Sequence, residues 1–438
     1  MNNSNVLIFC FSLLIFLSCK DGGNDQTSTS KDAEVKENKE LSEEVLLDTV
    51  QKQTLKYFWD FAEPNSGMAR ERYHPNGDYA KNDPDIVTTG GSGFGLMAII
   101  AGIERGFIPR DEAVQRLDKI ATFLEETPKY HGAFPHWING RTAGTQEFGS
   151  DSKDNGGDIV ETSFLAQGFI VVRQYLQDGN EEEKAVAAKF DKLWQNIDWD
   201  WYTNNKNGIF WHWSPDYEFE KNFMIEGYNE CLITYIMAAS SPRHAIKPEV
   251  YHQGWARGGN ITTDKKAYGI PLILKYNTVG DKAGPLFWAH YSYLGLNPKG
   301  LSDRYANYWD LNVNHSKINY EYAQENPNNS KTYSENSWGL TASYTKNEDG
   351  SVGYAAHSPD DDRGVVSPTA AVSSIPYTPE ESLRAIRYFY EDQHDLLWGP
   401  AGFYDAFSLD AGDWVAERYL AIDQGPIIVM IENYRSGL

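Results

Sequence analysis

The chain has 438 residues and a formal net charge of −23, set by 62 acidic against 39 basic side chains. That balance argues against nucleic acid and anionic membrane surfaces as partners and otherwise serves solubility. Thirteen Trp and 27 Tyr exceed what a core of this size needs, so some aromatic rings are expected to face a ligand.

Val6 to Leu17 form an apolar run too short to span a bilayer, as in the central part of an export signal, although Met1 to Asn5 carry no Lys or Arg. The run ends in Leu17-Ser18-Cys19 and polar low-complexity sequence follows, which resembles a bacterial lipoprotein signal. The resemblance implies that residues 1–18 are removed and that Cys19 carries the lipid. Lys20 and Asp21 are similar in part to the export tags of surface lipoproteins, so a surface-facing and a periplasm-facing outer-membrane lipoprotein both stay open. Residues 19–40 are polar enough to form a flexible tether, and 41–438 read as one domain because no second linker interrupts them. An acylated Cys19 leaves Cys231 without a disulfide partner, and its apolar setting makes it a packed thiol. With no zinc-type Cys/His spacing, calcium loop or phosphate-binding loop, no metal or cofactor is expected. Thr89 to Gly95 lacks the lysine of a phosphate loop and reads as a flexible segment opening a helix.

Helical periodicity dominates the body. Glu43 to Ala62 is one-sided, Phe94 to Gly106 apolar all round, and the helix after Pro109 carries the stripe Ala113, Leu117, Ile120, Ala121, Leu124. Ile159 to Leu176 is apolar again and Glu181 to Ile197 amphipathic again; further helices are expected over Tyr228–Ala239, Pro379–His394 and Trp414–Tyr434. The alternation predicts helical hairpins whose first members line an inside and whose second members coat it. The body accommodates roughly a dozen helices of ordinary length. The expected fold is therefore all-α, an (α/α)6 barrel with minor β structure in loops; an irregular α-solenoid is the alternative.

An internal echo supports a ring. Gly132 to Trp137 and Gly208 to Trp213 share Gly-x-Phe-x-His-Trp, with a weaker copy at Gly402 to Asp405. Eighteen residues beyond His136, His212 and Asp405 lie Asp154, Glu230 and Asp423, all carboxylates. Two carboxylate pairs, Glu226/Glu230 and Asp158/Glu161, are spaced to share a helix face within apolar segments, and carboxylates in such places are costly unless they serve a purpose. Glycoside hydrolysis needs an acid for the leaving oxygen and a base or nucleophile, and paired carboxyls in unlike environments supply both. Glu230, opening an apolar helix, is the acid candidate, and Asp154, Asp158, Glu161 and Asp423 are the remaining catalytic candidates. Bland roles stand beside these: a solvated loop acid for Glu226, an N-cap for Asp158, a core ion pair for Asp423. Trp137, Trp211, Trp213, Tyr404 and Trp414 are candidate sugar platforms, and His136, His212, Asn229 and Asp405 candidate partners for sugar hydroxyls.

Gly227 to Tyr235, followed by Ala239-Ser240-Ser241-Pro242-Arg243-His244, resembles the bacterial glucoamylase-like domain, the group that includes glycoside hydrolase family 144. The resemblance extends over Tyr57-Phe58-Trp59, Thr89–Gly95, Gly102–Gly106, Asp158–Thr162, Gly284–Phe287, Gly339–Ser343 and Asp423–Asn433. It implies an (α/α)6 barrel and metal-free, inverting hydrolysis of β-1,2-glucan or its oligosaccharides, with Glu230 and the acids Asp154, Asp158 and Glu161 functional; separately, a monomer is expected. Arg243 stands where the family pattern often has Thr, and Leu296–Ser337 departs with Asn-rich insertions, leaving endo or exo action open. The alternatives are another glucan linkage, a lyase or phosphorylase on a similar barrel, with Tyr202, His212 or His357 as a lyase base, and a non-cleaving glycan-binding lipoprotein.

Overall fold

The computed structural model describes residues 41–79, 83–149, 153–277, 280–347, 349–410 and 412–438. Cys19 and the expected signal and tether lie outside the described residues. Among the described residues twelve α-helical segments follow in order. They are α1 (Glu43–Trp59), α2 (Thr89–Glu104), α3 (Arg110–Glu126), α4 (Ile159–Leu176), α5 (Glu181–Gln195) and α6 (Leu232–Ser240). The second half holds α7 (Pro248–Val250), α8 (Tyr308–Glu325), α9 (Pro368–Ser373), α10 (Pro379–Arg387), α11 (His394–Leu397) and α12 (Ala421–Arg435). Among the described residues the strands are two to five residues long and pair only in twos or threes within connections.

Local chemistry accounts for the helix starts. Ser42 caps α1 ahead of Glu43 and Glu44, and Asn180 with Glu183 closes a capping box on α5. The all-round apolar helices are the buried ones: every residue of α2 from Thr89 to Gly102 is buried, and so is most of α4. The amphipathic helices bury one stripe, and in α3 it contains all five expected residues.

The inner ring runs α2, α4, α6, a pair of 3-10 turns (Leu286–Ala289 and Tyr291–Tyr293), α9 and α12, and α12 closes on α2. Outside it lie α1, α3, α5, α7 with its π-helical continuation Tyr251–Trp255, α8, and α10. This is an (α/α)6 barrel. Its hairpins run outer helix first, the reverse of the expected order, because the chain enters on amphipathic α1 before diving into α2. All inner helices consequently begin at one end, and their N-terminal dipoles converge on a single mouth.

Three further expectations change. Thr89–Gly95 is helical rather than a flexible opening: a Cβ on Gly93 would lie 2.3 Å from the Phe164 carbonyl oxygen, so its glycine lets α2 and α4 approach backbone to backbone. Glu226 and Glu230 do not share a helix face, since both precede α6. Trp414–Ala416 and Tyr419–Leu420 are short strands, and helix begins only at Ala421. On the barrel axis the rings of Phe94, Phe164 and Tyr291 meet with centroids 5.2 to 5.7 Å apart, a plug beneath the mouth worth about 0.5–1.5 kcal/mol per ring pair beyond area burial.

Candidate active site

The acids gather where the inner helices begin. Asp158 is the N-cap of α4: its Oδ1 accepts the Val160 and Glu161 amides at 2.9 Å each. Its Oδ2 accepts the Trp211 indole and a His136 Nδ1 proton, again at 2.9 Å. Fully buried, the Asp158 carboxyl pays a desolvation penalty, yet His136 and these donors hold its pKa below the usual range. The same contact works in reverse on His136, where burial opposes charge but Glu161 and Asp158 raise the pKa to about 9. At neutral pH the pair is an ion pair.

One turn further on, Glu161 takes the Gly90 amide, from the first turn of α2, on Oε2 at 2.7 Å. A Cβ on Gly90 would lie 2.5 Å from that oxygen, so glycine is what admits the bond. Desolvation raises Glu161 to about 7 against the pull of His136. Asp154, also buried, is paired with Lys221 Nζ at 2.9 Å. His212 stands 3.5 Å from Asp154, but its Nε2 accepts the Gly156 amide at 3.2 Å and burial lowers its pKa, so the ring stays neutral.

Glu230 lies just before α6, its carbonyl accepting the Ser292 hydroxyl. Its side chain is half-buried, and desolvation lifts its pKa to about 7 although the Cys231 thiol bonds the carboxyl. Across the mouth, Asp405 and Asp423 are both buried and hydrogen-bonded to each other. Desolvation raises Asp405 to about 6 and Asp423 well above the carboxylate range. Tyr291 links the groups: its hydroxyl donates to Asp423 Oδ1 at 3.5 Å, and burial first, then Asp423, Glu230 and Glu161, push its own pKa up.

Around these acids stand rings that no core absorbs. Phe148 (37 % exposed) stacks on His136 with centroids 3.8 Å apart. Phe223 (53 %) leans on Trp211 at 5.4 Å, and Tyr354 (56 %) stands over the Asp405–Asp423 side, packed edge-on to Tyr344. Apolar rings left open beside buried carboxyls suit the C–H faces of a sugar.

The sequence candidates divide accordingly. The structure brings Glu230, Asp154, Asp158, Glu161, Asp423, Asp405, His136 and Trp211 to the mouth, and Trp137 beside it, its ring 4.9 Å from Phe148 and covered by Arg72. His212 and Asp405 are buried, with the Gly156 amide on His212 Nε2 and the Tyr344 amide on Asp405 Oδ2. Asn229 is buried too, its Oδ1 accepting the Cys231 amide at the entrance to α6. Trp213 belongs to a separate cluster with His131 and Trp201. Tyr404 packs on Tyr419, and Trp414 on the small cluster around Tyr344 and Leu420. Glu226 is the loop acid of the bland reading, paired with Arg257 at 3.1 Å. Tyr202 and His357, once considered as lyase bases, are buried, and the Tyr202 hydroxyl is spent on the Tyr130 carbonyl. Arg243 reaches Asn196 beyond the far end of α6 and does not touch the site. Sequence reasoning missed Tyr291, Lys221, Phe148, Phe223 and Tyr354.

His136, Asp154 and Asp158 each offer a donor atom within 4.8 Å of the others, close enough to hold a cation. The chemistry fits poorly, since all of the Asp158 acceptor capacity is used and Lys221 already supplies positive charge. A cavity of about 560 Å³ at the barrel's other end, lined by the last turns of α2, α4 and α12, contains none of the mouth acids.

Fold and site define a carboxyl-bearing (α/α)6 barrel with an aromatic rim. A family model described as "Putative glucoamylase" matches residues 222–438, and one for a protein of unknown function, DUF3131, matches 49–198. The chain is similar to an endo-beta-1,2-glucanase from Chitinophaga pinensis solved with sophorotriose and glucose: 55 % identity, TM-score 0.87, covering 91 % of this chain and 94 % of that one. It is 44 % identical over 415 residues to an exo beta-1,2-glucooligosaccharide sophorohydrolase (non-reducing end) of Parabacteroides distasonis, covering 91 % of this chain but 56 % of that protein. This chain thus spans little more than half the length of that curated relative. An endo-beta-1,2-glucanase from Talaromyces funiculosus, solved with sophorose, shares the fold at 12 % identity, with a TM-score of 0.61 over 90 % of this chain and 85 % of that one. The chain belongs to the glucoamylase-like family.

Proposed function

We propose that the protein hydrolyses β-1,2-linked glucan or its oligosaccharides, with inversion at the anomeric carbon. The observation that carries this is Glu230, a half-buried carboxyl at the mouth whose pKa desolvation raises to about 7, so that it can hold and give up a proton near neutrality. Glu230 gives that proton to the leaving glycosidic oxygen. A water attacking the opposite face gives its own proton to a carboxylate across the mouth. Asp154 and Asp158 are occupied by Lys221, His136 and Trp211, which leaves Glu161 and the Asp405–Asp423 pair; we assign acceptance to Asp423, tied through Tyr291 to the Glu230 side. Phe148, Phe223 and Tyr354 supply stacking faces for glucose rings on either side. The substrate linkage is that of the Chitinophaga and Parabacteroides relatives. We further propose a monomer tethered to the cell envelope through lipid on Cys19, a reading that rests on the sequence and predicts that Cys19→Ala releases the protein from membranes.

The test is incubation of the purified protein with β-1,2-, β-1,3- and α-1,4-glucans, with Glu230→Gln alongside. Hydrolysis of β-1,2-glucan alone is expected, falling about 10²–10⁴-fold in the variant. Product sizes decide endo or exo action and their initial anomer reports inversion; full activity in Glu230→Gln would remove the acid assignment.

A further inference from the structure

The Asp405–Asp423 contact is unlike every other acid contact at the mouth. Asp405 is held rigidly: its amide donates to the Arg418 carbonyl at 3.0 Å, the Ser367 hydroxyl donates to its carbonyl at 2.6 Å, and its Oδ2 accepts the Tyr344 amide at 2.7 Å. Asp423 is held by the Thr369 hydroxyl on its carbonyl at 2.7 Å and the Tyr291 hydroxyl on Oδ1. One oxygen of each carboxyl is therefore served by a donor. The other oxygen of each, Asp405 Oδ1 and Asp423 Oδ2, is buried with no donor from the rest of the protein. Two carboxylates can bond to each other only if a proton lies between them. No ion pair reaches either carboxyl among the described residues. The facing groups are the Glu71 carboxyl, which raises Asp423 further, and the phenols of Tyr291, Tyr344 and Tyr354; the Arg72 and Arg418 guanidiniums act on the Tyr344 ring instead.

We propose that Asp405 is a positioning residue that shares one proton with Asp423, so that the two buried carboxyls work as one acid–base group carrying a single negative charge at rest. This rests on the hydrolase reading above. In the reaction, the attacking water forms its bond to the anomeric carbon and loses a proton to Asp423, making the pair neutral, while the glycosidic bond breaks and its oxygen takes the Glu230 proton. The pair then returns a proton through solvent to Glu230, and the cycle closes without another reactant. The shared proton stabilises the singly charged pair, which keeps one carboxylate ionised and fixed in direction, ready to accept the proton of water at working pH.

The experiment separates this from the hydrolase reading by needing no substrate. Infrared carboxyl spectra of the resting full chain are titrated for the wild type, Asp405→Asn and Asp423→Asn, with melting temperatures to confirm folding. Glu161 and Glu230 also keep protons at pH 6, so the expected result is one further protonated-carboxyl component in the wild type at pH 6 and above that is missing from both variants, whose amide donates the bond the proton made, while the Glu161 and Glu230 components stay. A band unchanged in Asp405→Asn overturns the proposal. In parallel, pH–rate profiles on β-1,2-gluco-oligosaccharides should show the acid limb of kcat moving up by about one pH unit in Asp405→Asn, because the Asp423 carboxylate exchanges the shared proton for a weaker amide bond, with kcat about 10–100-fold lower and KM within about three-fold. An unmoved limb is equally fatal. A wild type that cleaves no glucan would defeat the hydrolase reading and leave the infrared result to decide the shared proton.

Discussion

Two groups of acids face each other across the mouth, and they solve the cost of burial in opposite ways. On the α4 side, Asp154 meets Lys221, while Asp158 meets His136⁺, an indole and two helix amides and stays charged. On the α12 side, Asp405 and Asp423 meet one amide, one phenol and each other, and they keep a proton. Residue type is the same and burial is the same; the donors decide the charge state. A hydrolase needs both, because a fixed charge holds loops and an imidazole in place while a titrating pair moves protons.

The sharpest way to break the comparison is to remove a fixed charge. Asp158→Ala strips α4 of its cap and leaves His136 without its counter-charge, while Trp211 loses the anchor for its indole. Uncapping alone costs about 1 kcal/mol, and breaking a buried pair about 3–5 kcal/mol. Urea denaturation should therefore register a loss of at least about 3 kcal/mol, together with loss of activity. A variant as stable as the wild type would show that the α4 side is not held by this charge.

Asp158 and the Asp405–Asp423 pair should also answer pH with opposite signs. Asp405 and Asp423 titrate above their unfolded values, so the stability they contribute is complete below about pH 4 and is lost as pH rises through about 6. Asp158 titrates below its unfolded value, so its contribution is present above about pH 4 and disappears as pH falls. His136, raised to about 9, contributes fully below about pH 6.5 and loses that contribution as pH climbs through 9. Denaturation midpoints measured from pH 4 to 9 should fall in two steps. Asp405→Asn should shrink the lower step, to which Glu161 and Glu230 also contribute, and His136→Gln should erase the upper one. If one variant erases both, the two sides are not independent.

How much of this was readable beforehand follows the same physics. The stretch Ile159–Leu176 announced itself, because an apolar run opened by an aspartate has one reading, and the structure repeats those bounds. The repeat that set His136, His212 and Asp405 in equivalent connections did point to a common mouth, since each precedes an inner helix of the ring. Glu226 and Glu230 were misread because a shared helix face presupposes the helix, and α6 begins two residues after Glu230. The glycines from Gly90 to Gly95 looked flexible since their purpose, room for Phe164 and the Glu161 carboxyl, lies on another helix. Tyr291 was invisible: it sits in 3-10 turns too short to leave a period, in the one inner member of the ring that is not a helix proper. Whether a phenylalanine is core or rim is a property of the fold, so Phe148 and Phe223 had no local signature.

Those exposed rings set the smallest and most selective prediction. Phe223 touches Trp211, which in turn bonds Asp158, so it joins the aromatic rim to the fixed-charge side without carrying charge itself. With half its surface in solvent it contributes little to folding, and Phe223→Ala should leave the denaturation midpoint almost unchanged. A stacking face for glucose acts on ground state and transition state alike, so its loss should raise KM about five-fold and leave kcat nearly intact. A fall in kcat at constant KM would mean that Phe223 acts through Trp211 on the position of Asp158. The rim and the fixed-charge side would then be one device rather than two neighbours.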